Sequence, residues 1–157
     1  MDTKYLEPHA GMKKYEPPAN DSLVRAGQRL DFRQYVTPVR NQGQCGSCWA
    51  FATIANLEYL YKRSTGRDYD YSEQALLDCD TRSYGCRGGF PSTALELMAQ
   101  RGVPLETEYA RYAGVQGPCR LQYGRGTISR SVSIPAGFQS IQSYLANHGP
   151  FVGSSFS

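Results

Sequence analysis

The stretch that most limits what this chain can fold into is Asn41-Gln-Gly-Gln-Cys-Gly-Ser-Cys-Trp-Ala-Phe51, a glycine-rich turn that runs straight into an apolar helical pattern. From Ser47 onward, Ala50, Ile54, Leu57 and Tyr61 fall at i, i+4, i+7 and i+11, with Phe51, Ala55 and Leu60 widening the stripe. Ser47 is suited to cap this helix, and Gly66 to close it after Lys62 and Arg63. A stripe that broad predicts a helix buried on most sides. Cys48 then stands in the first turn, where the partial positive charge of unpaired N–H groups favours an anionic sulfur.

Around that helix the local signals give a mixed architecture. Residues 31–39 read as an extended lead-in strand, with Thr37-Pro38 fixing the chain before the turn at residues 41–43. Ser72 caps a short helix through Leu77, with Glu73 favourably placed at its positive end. Pro91 opens another helix over residues 92–100, which Gly102 ends. Residues 127–134 alternate and predict a strand, residues 138–147 a weaker helix with Ile141 and Leu145 on one side, and Phe151 begins a further strand. Residues 1–30 are polar, contain Pro17-Pro18 and show little periodicity, so they read as an arm or a pro-segment remnant.

Composition narrows the function classes. The net charge of +3 comes from 17 basic and 14 acidic residues with no basic run, so neither a nucleic-acid nor a membrane partner is expected. Residues 1–9 lack the apolar core of a secretory signal. The tyrosines are expected to do no more than pack and solvate. Five cysteines are most economically two pairs and one free thiol, which points to an oxidising compartment and conflicts with the missing signal.

The chemistry that these residues allow centres on Cys48. A thiol attacks as its thiolate. Gln42, if the glycine turns fold it back, places an amide NH2 beside the Cys48 backbone N–H, and both can donate to an oxyanion. One such donor contributes about 3–4 kcal/mol to the transition state in a studied hydrolase. Cys45-x-x-Cys48 also allows a redox pair or half a zinc site. Zinc requires a second close pair of ligands, and a redox site a preceding strand of a βαβ unit; neither is evident. No metal or cofactor is expected. Spacing alone leaves fifteen ways to draw two bridges among five cysteines.

Four motifs in one order carry a resemblance over roughly residues 30–120. Residues 42–51 resemble the nucleophile region of papain-family cysteine proteases, whose core run is Cys-Gly-Ser-Cys-Trp. Asp31-Phe-Arg33 with Val36-Thr-Pro-Val39 resembles that family's mature N-terminal segment. Tyr71-Ser-Glu-Gln-Ala-Leu-Leu-Asp-Cys79 resembles its second helix, and Tyr84-Gly-Cys-Arg-Gly-Gly-Phe-Pro91 its substrate-binding loop. The resemblance implies an α+β, papain-like fold: an arm over residues 1–30, a mainly helical left lobe over 31–124 and the start of a β-rich right lobe over 125–157. It implies Cys48 as nucleophile and Gln42 as oxyanion donor. Gly88 and Gly89 would pair with the substrate backbone, Phe90 and Pro91 would wall the pocket for the residue two before the scissile bond, and Gly46 and Ser47 would line the adjoining subsite. The same resemblance pairs Cys45 with Cys86 and Cys79 with Cys119. It suggests a lysosomal, vacuolar or secreted setting.

One feature departs from the family. Its base histidine and orienting asparagine lie about 130–150 residues beyond the nucleophile, which passes Ser157. The two histidines present are His9, in the arm, and His148 in Ala146-Asn-His-Gly-Pro150, expected to be an ordinary loop residue with Asn147 no orienter. The chain is therefore expected to be a truncated cysteine-type peptidase, acting on peptide or protein substrates through an acyl-enzyme and inactive alone. A second chain or a missing C-terminal segment would supply the histidine and asparagine. The alternative is a non-catalytic truncated homologue or gene fragment that binds a peptide or a partner.

Overall fold

The structure is a computed structural model that describes residues 12–19 and 29–153. His9 and residues 154–157 lie outside the described residues. Contacts divide the chain into two compact units, one spanning residues 35–130.

That unit is built on α1 (Cys48–Thr65), α2 (Glu73–Cys79) and α3 (Pro91–Arg101). The helix ends follow local chemistry. Gly66 closes α1 with its N–H on the Lys62 carbonyl. The Ser72 hydroxyl accepts the Ala75 N–H, satisfying one of the orphan donors at the start of α2. Pro91 opens α3, where its missing N–H costs nothing, and Gly102 ends it. α1 packs on both α2 and α3. Ala50, Ile54 and Leu57 meet Ala75, Leu76, Leu77, Ala94 and Met98, all at most 1% exposed. Each large aliphatic side chain so buried contributes about 1.5–3 kcal/mol.

α1 is less enclosed than its stripe predicts. Ala55 is exposed and so is Leu60, at 42%, while Glu58 is buried at 2%. The pattern counted apolar residues and missed that this carboxylate finds partners inside. The Thr37 hydroxyl donates to one of its oxygens and the Tyr71 N–H to the other. Glu73 also departs from expectation. It is 6% exposed, and burial pushes its carboxyl up to about 7, so desolvation outweighs the helix-end charge that was to favour it. The lead-in region contains a 3-10 turn at Arg33–Tyr35 rather than a strand. Asp31 turns back to accept the Arg33 N–H, a local bond that competes with extension.

Among the described residues, the second unit joins residues 12–19 and 29–34 to residues 131–151. β1 (Lys13–Lys14) pairs in parallel with β2 (Val132–Ser133), and the Tyr15 N–H adds a bond to the Ser133 carbonyl. The strand expected over residues 127–134 shrinks to β2, because the Thr127 N–H goes to the Tyr61 hydroxyl instead of a neighbouring strand. α4 (Phe138–His148) follows. Tyr15 lies edge-on to Tyr144 at 5.1 Å and bonds the Ser143 hydroxyl at 2.8 Å. His148 is the last residue of α4 rather than a loop residue, 4.8 Å from the Tyr144 ring. Residues 151–153 form no strand.

Candidate active site

The turn before α1 is fixed before the helix begins. Asn41 accepts the Gly43 N–H through its side chain, and the Gln42 amide nitrogen donates to the Cys45 carbonyl at 2.7 Å. One of the two Gln42 amide hydrogens is thus engaged within the turn. Cys45 is bonded to Cys86, and the Gly46 N–H donates to the Cys86 carbonyl at 2.8 Å, so a covalent and a hydrogen bond join the same two loops. Cys48, the first residue of α1, is free and exposed.

Ser47 occupies the cap position, but its hydroxyl caps nothing in the helix. It meets the Tyr112 hydroxyl at 2.6 Å, and that hydroxyl donates to the Gln42 carbonyl at 2.8 Å. The Phe51 ring stands edge-on to Tyr112 at 4.9 Å. Tyr112 therefore reaches both sides of the Cys48 turn. Sequence reasoning assigned the tyrosines to packing, and no local pattern marks this one: its partners lie 61 to 70 positions earlier in the chain.

The loop carrying Gly88 and Gly89 rests on α1 through Trp49, whose indole N–H donates to the Gly85 carbonyl. Gly88 sits at φ +119°, in a region that side chains rarely enter, and a Cβ there would meet open space. Gly89 is the reverse case: a Cβ would lie 2.5 Å from the Trp49 ring. Gly89→Ala is expected to push this loop off the indole and lower stability by about 1–3 kcal/mol, read as a drop in urea midpoint; an unchanged midpoint would refute the packing argument. Asp80 holds the loop's base, accepting the Ser83 and Thr93 hydroxyls and the Arg82 N–H, while Ser83 accepts the Phe90 N–H. Phe90 precedes α3 and Pro91 is its first residue; both are half-buried.

The second bridge joins Cys79 at the end of α2 to Cys119. Among the described residues no group of three or more His, Cys, Asp or Glu side chains is placed to hold a metal. His148 belongs to the other unit, and residues 35–130 contain no histidine.

This geometry has close relatives. The family described as papain family cysteine protease matches residues 26–155. Papain of Carica papaya is 52% identical over 108 residues, covering 68% of this chain and 31% of its own. Cysteine proteinase 3 of Entamoeba histolytica is 36% identical over 154 residues, covering 94% of this chain and 49% of its own. The chain thus spans between about a third and a half of the length of these curated relatives. Among solved structures, the Carica candamarcensis cysteine protease CMS1MS2, determined in complex with E-64, superposes with a TM-score of 0.66 at 45% identity, covering 71% of this chain and 55% of that one. A structure from work on the mite allergens Blo t 1 and Der p 1 superposes with a TM-score of 0.77 at 28% identity, covering 95% of this chain and 51% of that one. With the family match extending over most of its residues and papain itself identical at half the aligned positions, the chain belongs to the papain family of cysteine proteases.

Proposed function

We propose that this chain carries the nucleophile-bearing half of a cysteine peptidase site. Its Cys48 attacks a peptide carbonyl and forms an acyl-enzyme that water then cleaves. The observation that carries this reading is that Cys48 is free and exposed at the first residue of α1 while all four other cysteines are bonded. In this reading the second Gln42 amide hydrogen and the Cys48 backbone N–H receive the oxyanion. Gly88 and Gly89 offer backbone to an extended peptide, Phe90 and Pro91 wall one side-chain pocket, and Gly46 and Ser47 line the next. Residues 31–124 serve as the lobe for this chemistry, with residues 1–30 an arm and residues 125–157 the start of a second lobe. The compactness of residues 35–130 supports the central lobe of that division. The base is a histidine from outside residues 35–130, supplied by a further segment or a second chain. The two bridges fit an oxidising setting, lysosomal, vacuolar or secreted.

The lack of histidine in residues 35–130 favours a second reading, peptide binding without turnover by this chain alone. Peptide hydrolysis by the purified 157-residue chain would remove it. For the principal reading, a peptidyl epoxide is expected to add one equivalent of mass at Cys48, faster than it reacts with free glutathione, and to add nothing to Cys48→Ala. Labelling no faster than glutathione would overturn the assignment.

A further inference from the structure

We infer that Tyr112 is a positioning residue for the oxyanion donor: its phenol holds the Gln42 turn in register with the start of α1. This deepens, and rests on, the peptidase reading above.

The contacts form a short relay. A phenol has one proton, and the Tyr112 hydroxyl donates it to the Gln42 carbonyl at 2.8 Å. The Ser47 hydroxyl, 2.6 Å away, then donates to the same phenol oxygen. One side chain thereby fixes residue 42, whose amide is the proposed donor, and residue 47, which adjoins the nucleophile. The Gln42 side chain is anchored separately on the Cys45 carbonyl. With main chain and side chain both held, the remaining amide hydrogen keeps one direction, the preorganisation that an oxyanion donor requires.

Tyr112 is itself rigidly presented. Its N–H donates to Glu106 Oε1. Its loop is stitched to α2 on the far side by Gln74, which accepts the Ala113 N–H and donates to the Val115 carbonyl. Asp78 adds the Gly117 N–H and the Tyr109 hydroxyl. Five polar contacts thus hold one loop, and the loop delivers one phenol to the turn. A tyrosine needed only for packing would not require its hydroxyl to bridge residues 42 and 47.

The test separates positioning from folding. With a peptidyl aldehyde, the Cys48 sulfur adds to the carbonyl carbon, the C=O π pair moves onto oxygen, and that oxygen takes up the proton released by the thiol. The adduct uses the oxyanion donors. With iodoacetamide, sulfur displaces iodide and no oxyanion forms. In the full chain, Tyr112→Phe keeps the ring against Phe51 and is expected to weaken aldehyde binding roughly tenfold, the worth of one hydrogen bond, with the iodoacetamide rate unchanged. Gln42→Ala is expected to weaken aldehyde binding as well, and Gln42→Ala/Tyr112→Phe to be no weaker than Gln42→Ala alone. Equal losses with both reagents would make Tyr112 merely structural and overturn the inference, as would additive losses in the double variant. An unchanged Tyr112→Phe beside a weakened Gln42→Ala would overturn the inference while leaving the peptidase reading intact. An unaffected Gln42→Ala would bring down Gln42 as donor and Tyr112 with it.

Discussion

Glu73→Gln is expected to raise the melting temperature above pH 7 and leave it unchanged near pH 4. The carboxyl is 6% exposed, and burial raises its pKa to about 7 from an ordinary 4.5. Glu58 and Glu106 push the same way, while Arg40 opposes them. The sign follows from linkage. Between pH 4.5 and 7 the folded chain keeps a proton that the unfolded chain has lost, so its stabilising effect is complete below 4.5 and disappears as pH rises through 7. A shift of that size corresponds to roughly 3 kcal/mol as an upper bound. Glutamine keeps the shape without the charge, so the variant should escape the loss. Thermal melts at pH 4 and pH 8 provide the measurement. A variant that melts with the parent at pH 8 would show that Glu73 is ionised at little cost.

Removing either bridge should lower stability by a large and similar amount. The two bridges close separations of 40 and 41 residues, and loop entropy alone assigns each about 4 kcal/mol. For a unit of about a hundred residues that corresponds to a fall of roughly 15–30 °C in melting temperature. Cys79→Ser/Cys119→Ser should show this fall with the epoxide labelling rate of Cys48 preserved below the melt. Cys45→Ser/Cys86→Ser should lose both, because that bridge also ties the turn of Gln42 to the loop of Gly88. Equal labelling rates in the two double variants would mean that the Cys45–Cys86 bond does not organise the site.

What could be read from the sequence was what is local. Ser72, Pro91, Gly66 and Gly102 mark helix ends because capping depends on a few adjacent residues, and the structure places helix termini beside all four. The start of α1 at Cys48 was legible from the onset of the apolar stripe, since the Ser47 hydroxyl caps nothing in the helix. β2 was overdrawn because a strand exists only where a partner runs beside it, and its partner is Lys13–Lys14. Glu73 was misjudged because a helix end is a local feature, whereas burial is set by what packs over it. Within the site, Tyr112 escaped notice because two hydrogen bonds to residues far back in the chain leave no periodic trace. The cysteine pairing came from resemblance, since spacing could not choose among fifteen arrangements.

All five cysteines have assigned states: four are bonded and Cys48 is reduced. An oxidant that converts Cys48 to a sulfenic acid therefore finds no second thiol in this chain to condense with. Repair must come from a thiol outside these 157 residues. Cys48 itself, lying three residues from a bridged sulfur, is also the chain's sole internal candidate to attack and reshuffle that bridge.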